Sequence, residues 1–131
     1  MNRFFATNES EAVVAADSTS VAVHDSQMLK GVLSLLLLYL VAQREDYGYA
    51  LVLRLRESGF AELSEGTVYP GLTRLETNGL LESERVRSTS GPARRYYRIT
   101  DDGRSELARG TRSWAELTHA VDTVLAGGNP T

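Results

Sequence analysis

The chain has 131 residues, of which 42% are hydrophobic, so its length and composition fit a single domain with a small core. It has no cysteine, which excludes disulfides and thiolate chemistry and is compatible with a reducing cytoplasm. Its formal net charge of −3 argues mildly against nucleic-acid binding, for which a basic domain is the simple expectation.

The first segment, residues 1–26, shows no sustained hydrophobic period and is predicted to be a flexible arm or a marginal helix. It carries Arg3 against four carboxylates, a local balance of −3 that accounts for the net charge of the whole chain. The remaining chain is neutral, and its positive charge is concentrated at residues 85–98. A local field of one sign can attract a polyanion even when the whole chain is acidic.

Two helices are predicted next. Residues 27–43 are apolar almost all round, which predicts a centrally buried first helix. Its apolar run, 33–42, is shorter than the roughly 20 residues that cross a bilayer, so we expect a cytoplasmic protein without a membrane partner. Residues 47–58 form the second predicted helix, with Asp46 as its N-cap and Gly59 as its terminator.

A third helix is predicted over residues 65–78, with an apolar back and a polar front. Ser64 is expected to cap it by accepting a hydrogen bond from a free backbone N–H, and Asn78-Gly79 to end it. The residues at helical spacing that should face the core are Val68, Leu72 and Leu75. The front carries small, hydroxylated or cationic residues that suit a nucleic-acid groove: Gly66, Thr67, Tyr69, Pro70, Thr73 and Arg74.

A basic strand–turn–strand segment follows over about residues 80–100. Residues 85–98 contain five arginines and no acidic residue, and a cluster of turn formers at 88–93 separates the two strands. One of Tyr96 and Tyr97 must face the core, because side chains alternate along a strand. Helix, tight stop and basic ribbon in this order describe a winged helix-turn-helix, whose third helix enters the major groove while the wing lies along phosphates.

The last helix is predicted from residue 101 to about 125, capped by Thr100 or Asp101 and followed by a tail at 127–131. Apolar residues recur along it at helical spacing, in steps of seven, three, four and three: Leu107, Trp114, Leu117, Val121 and Val124. A monomer of this size has little else to cover such a stripe, so it is predicted to be a dimerisation surface.

Other interpretations stay open at this point. The third helix could be an ordinary amphipathic helix, the wing arginines a solvated charge run, and Trp114 simple packing at a dimer core. A winged-helix module that binds protein instead of DNA is the main functional alternative, and the acidic net charge favours it. An enzyme is not expected, because the chain offers no nucleophile–base pattern, no phosphate-binding glycine loop and no metal cluster.

Several segments together are similar to those of a known family. They are Leu29-Lys30-Gly31, Tyr47-Gly48-Tyr49, residues 63–76, Asn78-Gly79-Leu80-Leu81, residues 91–100 and Gly103. Over about residues 28–125 the chain resembles the PadR-like transcriptional regulators, in their short form with a single C-terminal helix. The resemblance implies a homodimer in which the last helix of each subunit packs on the first helix of the other. It also implies repression from an inverted-repeat operator, released by a small aromatic or cationic compound, with Trp114 at the ligand pocket.

The predicted fold is therefore mainly α with a two-stranded β wing. The DNA-binding domain is assigned to residues 27–100 and the dimerisation helix to 101–126. The predicted DNA-contact residues are Tyr47, Ser64, Gly66, Thr67, Tyr69, Arg74, Arg94 and Arg95. The predicted dimer-interface residues are Leu33, Leu37, Leu107, Trp114, Leu117, Val121, Val124 and Leu125. Neither a metal nor a cofactor is expected, since His24 and His119 have no second ligand at helical spacing.

Overall fold

The computed structural model describes residues 26–127, so the predicted arm, apart from its last residue, and the predicted tail, apart from Gly127, lie outside the described residues. The elements follow in the order α1 (Ser26–Gln43), β1 (Asp46–Tyr47), α2 (Gly48–Glu57), α3 (Glu65–Thr77), β2 (Leu81–Ser88), β3 (Gly91–Ile99) and α4 (Asp101–Leu125). No helix in this part of the chain is long and apolar enough to cross a membrane.

The core lies where α1, α2 and α3 meet the base of the sheet. Its most deeply buried side chains are Leu37, Leu38, Leu51, Val52, Val68, Leu72 and Leu81. The prediction that Val68, Leu72 and Leu75 face the core is confirmed, and Tyr97 is the buried member of its tyrosine pair. Each such apolar side chain contributes about 1.5–3 kcal/mol on burial, so this cluster holds α3 firmly while its opposite face stays in solvent.

The sheet has three antiparallel strands in the order β1-β3-β2, one more than the predicted two-stranded ribbon. The additional strand, β1, pairs Asp46 with Tyr97 and Tyr47 with Tyr96. Two residues are too short to show a period of two, so the sequence pattern assigned them to a cap and a helix start. The pairing fastens the backbone of Tyr47 to the base of the wing.

Two predicted helix caps are wrong. Ser64 occupies the N-cap of α3, but its hydroxyl accepts from no backbone N–H of that helix and lies 3.2 Å from Oγ1 of Thr67 instead. Asp46 precedes α2 by two positions, and its carboxylate is taken by the guanidinium of Arg54, at 3.2 Å, and by the backbone N–H of Tyr47. A charged partner outcompetes a helix-end amide for that carboxylate.

The start of α4 is seated on the turn that ends α3. Thr100 caps α4 as predicted, accepting from the backbone N–H of Gly103 at 2.9 Å. Its hydroxyl also donates to the carbonyl of Gly79 at 2.7 Å, and Gly79 adopts a φ of +79°, which favours glycine. A Cβ on Gly103 would stand 2.1 Å from the carbonyl oxygen of Leu80, so only glycine fits there without a backbone shift.

Candidate nucleic-acid interface

The polar front of α3 is exposed along its length. The exposed residues on it are Ser64, Gly66, Thr67, Tyr69, Pro70, Thr73 and Arg74. Val68, Leu72 and Leu75 hold the opposite side of the helix in the core. The helix therefore presents a surface without bulky aliphatic side chains, which suits close approach to another backbone or to base edges.

Four of the predicted DNA-contact residues converge on one concave surface, which we call the aromatic–arginine pocket. Tyr47, Tyr69, Arg94 and Arg95 line it, and its volume is about 550 Å³. The structure brings them together from β1, from α3 and from β3. The other lining residues, which sequence reasoning did not assign to this site, are Gly48, Tyr49, Leu53 and Tyr97.

Gly48 allows Tyr69 to lie in this pocket. A Cβ built on Gly48 would stand only 2.9 Å from Cε1 of the Tyr69 ring, so a side chain there would push the ring away. In the sequence, Gly48 is recognisable only as the glycine between two tyrosines, Tyr47 and Tyr49. Its partner on α3 became visible only in the structure.

Arg94 is held over the ring of Tyr47. Its guanidinium carbon lies 4.3 Å from the ring centroid, and the Tyr47 ring in turn contacts Tyr96, with the two ring centroids 5.5 Å apart. This cation–π contact holds the guanidinium without an acceptor atom. Within residues 26–127 no protein acceptor takes the N–H donors of Arg94, so they can bind a ligand such as a phosphate.

A half-buried ion pair fixes the segment that carries Tyr47. The side chains of Arg54 and Asp46 are each 13% exposed and are joined at 3.2 Å. Arg54 also donates to the carbonyl of Leu40 and to Oε1 of Gln43, both at 3.2 Å. The end of α1, strand β1 and helix α2 therefore meet at the guanidinium of Arg54. Tyr47 is the residue directly after Asp46, so this ion pair also holds its backbone in place.

The wing is divided electrostatically. At its base, Arg98 pairs with Glu82 at 3.1 Å and with Glu84 at 3.6 Å. Further out, four arginines make no ion pair with any residue between 26 and 127; we call them the outer wing: Arg85, Arg87, Arg94 and Arg95. Arg85 lies directly opposite Arg95 across the hairpin, although like charges in that position are destabilising. The outer wing thus carries positive charge that the described chain does not neutralise.

Tyr69 remains a hydrogen-bond donor at neutral pH. Burial raises the pKa of its phenol above the ordinary value, and the nearby Glu65 carboxylate and Tyr49 raise it further. A raised pKa keeps the O–H protonated, as donation to an anionic oxygen requires.

No group of His, Cys, Asp or Glu side chains within the described residues is placed to hold a metal ion.

A second exposed surface runs along α4, and we call it the α4 stripe: Trp114, Leu117, Val121, Val124 and Leu125, all exposed. Leu107, the first residue of the predicted stripe, is half-buried against the core of the chain. Trp114 and Leu117 also line a groove of about 360 Å³ between α1 and α4, whose α1 side includes Val32 and Leu35.

Leu33 and Leu37 require a correction. They were predicted to lie in the dimer interface, but they are only 4% and 0% exposed and pack inside the chain's own core. Their side chains reach Gly71 of α3, where a Cβ would stand 3.3 Å from Cδ1 of Leu37. They therefore have no surface to offer a partner. An all-round apolar helix such as α1 gives no pattern from which its two sides could be told apart.

Three helices followed by a β-hairpin, with an exposed polar front on the third helix and a cationic hairpin beside it, define a winged helix-turn-helix protein. Residues 37–109 match the family described as "Transcriptional regulator PadR-like family". The chain belongs to this family, which confirms the resemblance found in the sequence. It is a DNA-binding transcriptional regulator and, like its relatives, not an enzyme.

Individual proteins similar to this chain are transcriptional regulators as well. Transcriptional regulator Rv3488 of Mycobacterium tuberculosis is 42% identical over 85 residues, which cover 65% of this chain and 78% of that protein. A PadR-like transcriptional regulator from Bacillus cereus is 42% identical, with a TM-score of 0.69, covering 77% of this chain and 98% of that one. A PadR family regulator from Eggerthella lenta is 34% identical, with a TM-score of 0.71, covering 84% and 92%.

Proposed function

We propose that the chain is a homodimeric repressor that binds an inverted-repeat operator and releases it when a small aromatic or cationic compound binds. The observation that carries the proposal is the outer wing, whose arginines form no ion pair within residues 26–127 and two of which, Arg94 and Arg95, line one pocket with Tyr69 of α3. Two α3 helices about 34 Å apart would meet successive major grooves of one duplex face. A regulator of this kind works on promoter DNA, in the cytoplasm.

Each predicted contact residue has a role in this proposal. Gly66 and Thr67, with Ser64, lie at the front of α3, where small side chains let backbone amides approach a phosphate. Arg74 reaches a base edge or a phosphate. Tyr47 and Tyr69 donate O–H hydrogen bonds to the DNA backbone, and Arg94 and Arg95 bind phosphates. Such contacts release counterions, so binding should weaken steeply as salt rises.

The homodimer would form through the α4 stripe. Five exposed apolar residues along one helix leave a surface that a second copy of the chain can cover, with about 1.5–3 kcal/mol for each side chain fully buried. The partner's α1 would contribute groove-facing residues such as Val32 and Leu35. Residues 27–100 then act as the DNA-binding domain and residues 101–126 as the dimerisation helix.

The groove between α1 and α4 is the proposed effector site. Among the described residues that line it, Trp114 is the one aromatic side chain, and it could stack on a planar or cationic compound. An effector shifts operator affinity only if it favours one spacing of the two α3 helices over another. Packing of Trp114 at the dimer core alone is the alternative, and it would leave operator affinity independent of added compounds.

The test is a gel-shift and fluorescence-anisotropy titration against the upstream region of the protein's own gene, at several salt concentrations. We expect retardation by a dimer, and the logarithm of the affinity should fall linearly with the logarithm of the salt concentration. A folded dimer that retards no DNA at low salt would contradict the repressor proposal and favour the winged-helix protein-interaction module. Footprinting would then give half-site spacing and symmetry.

A further inference from the structure

Two hydrogen bonds join the end of α3 to the middle of the wing through one serine. The Ser83 hydroxyl on β2 donates to Oε2 of Glu76 at 2.7 Å. The Oγ atom of Ser83 also accepts a hydrogen bond from Nη1 of Arg95 on β3, at 3.0 Å. Glu76 lies in the last turn of α3, so three elements meet at a single half-buried hydroxyl. We call this arrangement the Ser83 relay.

We propose that Ser83 and Glu76 are positioning residues for DNA binding, which fix the guanidinium of Arg95 relative to α3. The proposal rests on the proposed function, in which Arg95 meets a phosphate while α3 lies in the major groove. The two contacts must then be made at once, and the relay sets the distance between them. An arginine on a free hairpin would have to be ordered at the moment of binding, which weakens affinity.

The geometry leaves Arg95 available for a ligand. Its hydrogen bond to Ser83 involves Nη1, and within residues 26–127 its other N–H groups donate to no protein acceptor. A hydroxyl that donates to a carboxylate is a stronger acceptor, so Glu76 reinforces the bond from Ser83 to Arg95. Because the hydroxyl stands between them, Glu76 orients Arg95 without pairing with it directly.

The neighbouring arginines show why such a relay is needed. Arg98 is bound directly by Glu82 and Glu84, so its charge is already neutralised at the base of the wing. Arg85 lies opposite Arg95, and the repulsion between them favours rotamers that turn Arg95 away. The Ser83 relay opposes that repulsion while leaving the charge of Arg95 unpaired.

The experiment is a double-mutant cycle on the full chain, measured by anisotropy with a fluorescein-labelled duplex from the gene's upstream region. Ser83→Ala should weaken binding roughly three- to tenfold, the effect of one or two lost hydrogen bonds. The slope of the logarithm of affinity against the logarithm of salt concentration should also become shallower by up to about one, which corresponds to one phosphate contact. Ser83→Thr, which keeps the hydroxyl, should restore most of the affinity. In an Arg95→Ala background, Ser83→Ala should have no further effect.

Ser105→Ala, at an exposed serine of α4, is the matched control and should leave affinity unchanged. Circular dichroism and light scattering establish that each variant is folded and has the oligomeric state of the unmodified protein. Glu76→Gln replaces Ser83→Ala in the cycle if the latter is unfolded. Additive effects of Ser83→Ala and Arg95→Ala, or an unchanged affinity in Ser83→Ala, would overturn the relay. Loss of the proposed function looks different, because the unmodified protein itself would then bind no duplex.

Discussion

The outer wing and the α4 stripe are both exposed surfaces that the described chain leaves without a counterpart, yet they differ in physics. The first offers solvated cations, which cost little in water and exchange their counterions for phosphates. The second offers aliphatic and aromatic surface, which is unfavourable in water until something covers it. Salt should therefore act mainly on the wing, whereas protein concentration should act mainly on the stripe.

The largest effect is expected from a charge in the α4 stripe. Leu117→Glu places a carboxylate at the centre of the proposed interface, where burying an unpaired charge is costly. We expect the dimer to dissociate and operator affinity to fall by 10²-fold or more, roughly the avidity of two linked sites. Light scattering and anisotropy measure the two losses together.

The control for that variant is Glu116→Gln, an exposed neighbour on the same helix, which should stay dimeric and bind normally. A Leu117→Glu variant that remains a dimer would show that the stripe is not the interface. A monomer that still binds the operator tightly would separate the two surfaces and contradict binding by paired α3 helices.

The wing should give the next largest effect. Arg94→Ala combined with Arg95→Ala removes two cations, so binding should weaken more than tenfold on all DNA sequences and the salt slope should fall by about two. Arg112→Ala, at an exposed arginine of α4, changes the charge without touching the wing and should alter little. An unchanged slope in the double variant would remove the wing from the phosphate interface.

A smaller effect is expected inside the aromatic–arginine pocket. Gly48→Ala places a methyl group 2.9 Å from the Tyr69 ring and should displace it, with a several-fold loss of affinity. Gly31→Ala is the matched control, since a Cβ there meets nothing within 4 Å and should stabilise α1 by about 0.5–1 kcal/mol. Thermal melts and anisotropy distinguish the two; equal affinities would mean that Tyr69 does not contact DNA.

The smallest effect is spectroscopic. Trp114 is the chain's single tryptophan and is 47% exposed, so its emission reports directly on the groove between α1 and α4. A planar aromatic cation that binds there should change the emission and weaken operator binding at the same concentrations. If a panel of such compounds changes neither quantity, Trp114 serves in packing alone.

What the sequence predicted well depends on short-range patterns. The core face of α3 follows from the spacing of Val68, Leu72 and Leu75, and the cap at Thr100 from its place before a helix. The arginines of the wing were evident from composition. The fold could therefore be predicted without coordinates, and the assignment of the wing arginines to DNA contacts stays a prediction.

What the sequence missed depends on partners far away in the chain. Asp46 resembled a helix cap, but its partner Arg54 and the carbonyl of Leu40 come together only when α1, β1 and α2 pack. The Ser83 relay likewise joins α3, β2 and β3, so no pattern within a short stretch of sequence predicts it. Two-residue strands and all-round apolar helices give no periodicity to interpret.

In the proposed homodimer, Gly103 would influence how far apart the two α3 helices are held. Its missing side chain lets α4 rest directly on the carbonyl of Leu80, close to the end of α3. Helix α4 has 25 residues and is therefore about 37 Å long, so a small rotation at its first turn produces a large displacement of its last turn. A tilt of only about 5° at its root moves its tip by about 3 Å over that length. In the proposed dimer, Gly103→Ala would force a backbone shift at the start of α4 and so change the spacing of the two α3 helices, although Gly103 is not one of the predicted DNA-contact residues.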